Sequence, residues 1–381
     1  MSCHPDKRGR PIKVGTRKSQ LAMIQTETVV NRLKVFYTNN SDVDQQVDFD
    51  IVPMSTAGDR ILNKPLPEIG AKSLFTKELE VALLEGRVDM IVHSLKDLPT
   101  TLPRGCAIGA VMKRDDPNDV VVLKKSLRSQ MSPIDLLLGR YNDNSDEKYK
   151  IGTSSQRRIA MIRRCNENLD CIDIRGNLNT RLARLDGDDS EYTAIILAKA
   201  GLDRMGWSDR ASTILSVENH PDLADWYYAV GQGAIAVECR LDDQSMLEVL
   251  KPIVDLKTTY EVVAERSFMK KLEGGCSVPL GVRSSWQDNE LTLHCGLLSL
   301  DGKQMIKANG RVRLSDTTQA QAGSSEPRPE TNFINTGITL PEPIAIDPSV
   351  TDSLNKCSNL GVDVANKVID QGGLKIIRSL R

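Results

Sequence analysis

One pattern constrains this chain more than any other: short apolar runs alternate with helical stretches, and one such unit occurs twice. Residues 14–22, VGTRKSQLA, and residues 151–160, IGTSSQRRIA, each pass from an apolar residue through Gly-Thr into a polar helix start. Later in each half an apolar run ends in a small or polar loop, MIVHSLKDL at 90–98 and AIILAKAGL at 194–202. Short apolar runs bounded by turn residues read as strands, and apolar residues at helical spacing read as helices. The resulting β-α-β-α-β order predicts an α/β layer architecture with a largely parallel sheet. Its repetition predicts two lobes of similar plan, each turning a strand-to-helix loop toward a shared cleft.

In the first half, IKVGT (12–16), FDIVPM (49–54), VDMIVHSL (88–95) and CAIGAVMK (106–113) read as strands. Residues 19–36 and 73–86 read as helices, the second closed by Gly86 where a C-cap glycine belongs. A second unit begins after the acidic, polar stretch YNDNSDEKYK (141–150). In it, AIILAKAGL reads as a buried strand followed by Ala/Gly turn residues. From about 255 the pattern changes again. A helix at 258–275 precedes a stretch, 278–314, with the alternation and Asp-Gly and Asn-Gly turns of an antiparallel sheet. Residues 315–337 are rich in Ser, Thr and Pro and read as a mobile loop, and a helix at 353–373 closes the unit.

Length and charge limit what such a chain can bind. With 381 residues it has room for two or three domains. Fifty Lys and Arg oppose 51 Asp and Glu, so no global field draws in nucleic acid or a membrane surface. Any anion site must be a local concentration of basic residues. No apolar run approaches the ~20 residues that span a bilayer, and the opening MSCHPDKRGRPIKVG lacks the apolar run of a secretory signal. The eight cysteines are scattered, without a C-x-x-C pair or a histidine in ligand spacing. That argues against a disulfide scaffold and a structural zinc site, and for a reducing cytosol.

Such a local concentration exists at the strand ends, where open α/β sheets gather their ligands. TRKSQ (16–20), HSLKDLP (93–99), TSSQRR (153–158), RGNLNTR (175–181) and YAVGQGA (228–234) place Arg17, Lys18, Lys96, Arg157, Arg158, Arg175 and Arg181 on or beside these turns. Thr153, Ser154 and Ser155 fall where a helix N-terminus offers free backbone N–H groups. A pocket for a ligand with several negative charges follows, arginine being suited to bidentate carboxylate contacts. Asp97 differs in kind: a carboxylate in a basic cleft can stabilise a developing cation or exchange a proton with a leaving amine. His93 reads as a core histidine bonded to backbone. No Walker pattern is present, which argues against a nucleoside triphosphate. Cys276, in KLEGGCSVPLG (271–281), sits on a loop cleared of side chains by two glycines, a placement that suits an attached group.

VGTRKSQLA, VHSLKDLPT, GTSSQRR with IRGNLNTRL, and EGGCSVP together resemble the porphobilinogen deaminase (hydroxymethylbilane synthase) family, and AKSLFTKELE, ILAKAGLDRMGW and YAVGQGA agree with it. The resemblance implies a transferase of haem biosynthesis that joins four porphobilinogen molecules head to tail, releasing ammonia, to form hydroxymethylbilane. It implies two periplasmic-binding-protein-like lobes with mixed, largely parallel sheets plus a small α+β C-terminal domain. The first lobe would comprise 1–116 with 231–254, the second 117–230, and the third domain 255–381. Cys276 would carry a dipyrromethane cofactor in a thioether bond, and Asp97 would act on the pyrrole nitrogens and the departing amino group. Arg17, Ser19, Ser94 and Lys96 from the first lobe would bind the carboxylates. Thr153, Ser154, Ser155, Arg157, Arg158 and Arg175 from the second would join them, with Gln232 from the returning turn.

Two other classes compete. A non-catalytic anion-binding protein of the two-lobed type explains the basic cleft but neither Asp97 nor GGCSVP. A cysteine hydrolase needs a histidine base, and His4, His93, His220 and His294 stand in no supporting motif. The expectations are therefore a cytoplasmic, monomeric enzyme that binds porphobilinogen and needs no metal, nucleic acid or membrane.

Overall fold

The computed structural model describes residues 10–39, 47–60, 75–141, 149–272, 278–314, 336–340 and 347–380. Cys276 and residues 315–335 of the expected loop lie outside them. The strands are β1 (Ile12–Arg17), β2 (Phe49–Met54), β3 (Met90–Ser94), β4 (Cys106–Val111), β5 (Asp119–Leu123), β6 (Lys150–Gly152) and β7 (Asp170–Ile172). They continue with β8 (Ala194–Ala198), β9 (Thr213–Leu215), β10 (Ile235–Arg240), β11 (Leu280–Gln287), β12 (Glu290–Leu298) and β13 (Met305–Arg313). The helices that position the site are α1 (Gln20–Asn39), α2 (Lys77–Leu84), α3 (Gln156–Cys165), α4 (Leu178–Asp186), α5 (Lys199–Arg204), α6 (Leu256–Lys271) and α7 (Pro348–Asp370).

Two five-stranded sheets share one plan. The first runs β2-β1-β3-β10-β4 and the second β7-β6-β8-β5-β9. In each, the first three strands are parallel neighbours, and the fourth is antiparallel to both strands beside it. Four strands of each sheet therefore point the same way. The reversed strand is the one donated by the other half of the chain: β5 follows β4 directly yet lies in the second sheet, and β10 returns from the second half to the first. Buried residues on both faces, such as Val14, Ile91, Val121 and Ile195, give these strands their near-continuous apolar runs.

Register fixes where the exchanged strands begin. Asp119, which opens β5, lies opposite Ala198, the last residue of β8. Ile235, which opens β10, lies opposite Ser94, the last residue of β3. Both crossings thus enter at the carboxyl ends of the parallel strands. The AKAGL stretch differs from its expectation as turn residues. It opens the short helix α5, closed by a Lys199–Asp203 pair of 2.6 Å one turn apart.

The C-terminal unit is the antiparallel sheet β11-β12-β13 with α6 and α7 packed on it. Its core is continuous with that of the first sheet. Leu95, Ile108 and Val111 cluster with Val262 and Phe268 of α6, Leu293 and Leu297 of β12, and Leu354 and Val364 of α7. Sandwiched in this way, α6 is buried from Val262 through Phe268 rather than along one stripe. Arg266 in that run is 1% exposed and satisfied by three carbonyls: its Nε donates to Thr336, its Nη1 to Leu98 and its Nη2 to Pro99, at 3.0, 3.3 and 2.7 Å. Thr336 belongs to the last part of the expected loop, and Ile338 bridges to Ile108. The guanidinium supports the segment that follows Lys96 and Asp97 from behind.

Arg266→Met should strand those carbonyls in a dry core and cost about 3 kcal/mol, since each unsatisfied buried polar group costs ~1–3 kcal/mol. Urea unfolding of the two proteins checks this.

Candidate active site

The strand-end loops meet at a small cavity of about 80 Å3 between the sheets. Ser94 and Lys96 line it from the first half, Arg158, Arg181 and Arg204 from the second, and Gly233 from the returning crossing. The loop that carries Lys96 follows β3 directly as one 3-10 turn, Leu95–Asp97, anchored by the buried Leu95. Asp97 is exposed on this turn, and its carboxylate carries no hydrogen bond among the described residues. Gln25 of α1 steadies Ser94, its Nε2 donating to Oγ at 2.9 Å.

The returning crossing presses against this turn, which explains the glycines of YAVGQGA. Gly231 and Gly233 have φ of 70° and 85°, in the left-handed region open to glycine. A Cβ on Gly231 would stand 2.9 Å from Leu95 Cγ, and one on Gly233 would stand 2.5 Å from the Asp115 carbonyl oxygen. Both positions need hydrogen in place of a side chain, so GQG is a close-packing device and not only a turn.

Charge in the cleft is arranged around burial. Burial pulls the Lys96 ammonium down to about 8 from its usual 10.5; Asp97 opposes the fall and Arg158 adds to it. Burial also lowers Arg181 to about 10, with Arg158 adding and Asp173 and Asp97 opposing. Arg175 also acts electrostatically on Arg181. It is 6% exposed, and its Nη1 has no hydrogen-bond partner among the described residues. A buried donor left unpaired in this way is costly unless a ligand or water accepts from it. Arg204 reaches across to the crossings, Nε donating to Asp115 Oδ2 at 2.8 Å and Nη2 to the Gly233 carbonyl at 2.6 Å.

Other predicted binding residues are engaged within the protein. Arg157 Nη1 donates to Asp119 Oδ2 at 2.7 Å and to the Tyr227 carbonyl. Gln232 Nε2 donates to Asp119 Oδ1 at 2.9 Å and to the Pro117 carbonyl at 2.6 Å. Ser155 is the N-cap of α3, accepting from the Arg158 N–H, while Thr153 Oγ1 accepts from the Ser155 N–H at 3.3 Å. Ser154 Oγ donates to the Ile174 carbonyl at 2.7 Å. At the matching turn of the first half, Ser19 Oγ accepts from the Ala22 N–H at 3.4 Å, and the Arg17 guanidinium lies 4.5 Å over the Phe75 ring. Lys18 is exposed.

Two buried carboxylates escaped the sequence reading. Asp119 is fully buried beneath Arg157 and Arg158; its one signal was an acidic residue opening the otherwise apolar run DVVVL. Burial opposes its ionisation, but the two guanidiniums outweigh that and hold the carboxyl well below the usual carboxylate range. His93 is a core histidine as expected, but its partner is not backbone. Its Nε2 lies 3.0 Å from Glu238 Oε2, both side chains being buried. Glu238 is on β10 two residues from Ala236, the register partner of His93, so the two side chains share a face.

Two lobes of one strand order, each lending the other a strand and closing on a cationic cleft, make this a periplasmic-binding-protein-like α/β fold with an added C-terminal sheet. Comparison narrows the class. The family model "Porphobilinogen deaminase, dipyromethane cofactor binding domain" matches residues 12–248, and "Porphobilinogen deaminase, C-terminal domain" matches 259–324. A porphobilinogen deaminase of Desulforamulus reducens is 38% identical over 97% of this chain and 98% of its own. One from Synechococcus elongatus is 45% identical over 78% of this chain and 85% of its own. Among solved structures, a probable amino-acid ABC transporter extracellular-binding protein of Bacillus subtilis matches at 11% identity and a TM-score of 0.34, covering 67% of this chain and 92% of that one. The chain belongs to the porphobilinogen deaminase family, transferases of porphyrin biosynthesis that work on a dipyrromethane cofactor. Among the described residues no helix is long and apolar enough to cross a membrane.

The donor set fits that cofactor. Two porphobilinogen units bring acetate and propionate arms, and this cleft offers Lys96 from the first half and Arg158, Arg181 and Arg204 from the second.

Because Lys96 titrates near 8, its positive charge is lost as pH rises through that value. The KM for porphobilinogen should therefore climb above pH 8, and Lys96→Arg should move the climb to higher pH. A KM–pH profile from pH 6.5 to 9.5 is the check (a window of roughly ±1.5 units about the titration).

Proposed function

We propose that this chain polymerises porphobilinogen in the cleft between its lobes, with Lys96, Arg158, Arg175 and Arg181 holding the acid arms and Asp97 acting on the reacting carbon. The single observation that carries the reading is the exposed, uncommitted Asp97 carboxylate on the turn whose lysine lines the cationic cavity. When bound, the dipyrromethane supplies the pyrrole α-carbon from which the chain grows. The arginines fix each incoming ring through its carboxylates, so its aminomethyl carbon is presented to Asp97. Ammonia leaves from that carbon, and the positive charge left on the methylene-pyrrole is held against the Asp97 carboxylate. The new C–C bond forms at this carbon, and the α-proton displaced from the attacking ring passes to Asp97. A site that excludes water strengthens each of these contacts.

Ligand pockets for drug-sized molecules run to roughly 300 Å3 or more, whereas the space here is about 80 Å3. The small size of this space favours a parting of the lobes when a pyrrole with two acid arms is admitted. The crossings at 112–118 and 226–234 are the natural hinges, and they support the proposed division into 1–116 with 231–254, 117–230 and 255–381. Attachment of the cofactor through Cys276 follows from the EGGCSVP resemblance and from the chemistry of a thiolate toward an electrophilic methylene-pyrrole. The scattered cysteines support a cytoplasmic location, and a monomer is what the family resemblance implies.

Asp97→Asn should lower kcat by about 100-fold or more, the scale of general acid–base catalysis. KM should change far less, and ammonia release measured at steady state separates the two. For the attachment, the intact mass of the denatured protein should exceed the chain mass by two deaminated porphobilinogen units. The excess should map to the Cys276 peptide and vanish in Cys276→Ser. A wild-type chain that stays bare after incubation with porphobilinogen would overturn the assignment.

A further inference from the structure

Two neighbouring arginines, Arg157 and Arg158, converge on one carboxylate, Asp119, which is not itself part of the cavity wall. Asp119 Oδ1 accepts from Arg158 Nε at 3.1 Å, Arg158 Nη2 at 2.7 Å and Gln232 Nε2 at 2.9 Å. Its Oδ2 accepts from Arg157 Nη1 at 2.7 Å and Trp226 Nε1 at 3.2 Å. These donors come from α3 and from both ends of the returning crossing. Asp119 is the first residue after the outgoing crossing. One buried group therefore ties both crossings to the paired arginines.

We propose that Asp119 is the positioning residue of this cleft, clamping Arg157 and Arg158 against the two crossings and so fixing where their charge meets an anionic ligand. The proposal rests on the polycarboxylate reading given above and extends it to a residue that does not touch substrate. A guanidinium has five N–H bonds. Arg158 commits Nε and one on Nη2 to Asp119 and one on Nη1 to the Ile196 carbonyl at 2.8 Å, leaving two for the cavity it lines. Which two remain is decided by Asp119. The carboxylate also offsets part of a dry positive cluster. Lys96 faces Asp97 on its own turn, Arg157 and Arg158 of α3 and Asp119 of β5, with Arg181 and Arg204 lining the same cavity. Removing the Asp119 charge leaves Lys96 among cations with only Asp97 in opposition.

Two variants test this. Asp119→Asn keeps the shape and loses the charge. Trp226→Phe removes one donor to Oδ2, the partner of the indole N–H among the described residues, while keeping an aromatic ring in the core. Asp119→Asn should raise the porphobilinogen KM at least about tenfold, the scale of hydrogen bonds to a charged group, and Trp226→Phe, which removes one long bond of 3.2 Å to the same carboxylate, about threefold. Calorimetric binding of porphobilinogen should weaken in parallel, and kcat should fall less than affinity. In Asp119→Asn the Lys96 titration should also move to lower pH. It can be followed by NMR of 13C-methylated lysines, with the resonance assigned through Lys96→Arg. A folded Asp119→Asn protein with wild-type KM and wild-type Lys96 titration overturns the proposal. If Asp119→Asn does not fold, Trp226→Phe decides, and an unchanged KM overturns it. Wild-type protein that neither binds nor consumes porphobilinogen refutes the functional reading instead, while the Lys96 titration still tests Asp119.

Discussion

Arginine side chains enter a protein interior only in the company of carboxylates or carbonyls, and this fold is built around that requirement. Arg157 and Arg158 are nearly dry, 5% and 7% exposed, and both lean on Asp119, which is fully buried. Removing one partner of a buried ion pair typically costs ~3–5 kcal/mol, because the other is left uncompensated. The pairing also has a directional consequence. It spends some N–H bonds inward and leaves others for the cleft, so the same interaction that makes burial tolerable aims the remaining donors.

A second network of the same kind joins the hinge to the C-terminal unit. Arg114, in the outgoing crossing, makes a two-pronged pair with Glu265 of α6 at 2.7 and 3.1 Å and donates to the Gln232 carbonyl at 2.8 Å. Glu265 also accepts from the Gly231 N–H and from Ser284 Oγ, each at 2.8 Å. Its neighbour Arg266 holds the carbonyls of Leu98 and Pro99. Helix α6 thus grips both crossings and the back of the Asp97 turn, and it ends at Lys271, five positions before Cys276 in the sequence. Support for the Asp97 turn and contact with both crossings come from one helix.

Much of this was legible in the residues. Apolar runs for β1, β3 and β8 and basic clusters at strand ends are local features, and each fell where local rules place it. Ser94, Lys96, Arg158 and Arg181 meet at one cavity, as their positions at strand ends imply. The residues that escaped are those whose meaning depends on a distant partner. His93 needs Glu238, 145 positions later. Gln232 needs Asp119, 113 positions earlier. Neither pairing has a spacing that a reader of the chain could test.

The sequence by itself determined the class of elements, the family and the chemical character of the cleft, because these depend on periodicity, on turn residues and on which side chains carry charge. Only the tertiary structure decided how that charge is divided. It took the exchange of β5 and β10 between sheets to bring Asp119 under the α3 arginines and Gly231 against Leu95. Strand exchange is a long-range arrangement, set by which burial satisfies the most polar groups at once, and no local pattern encodes it.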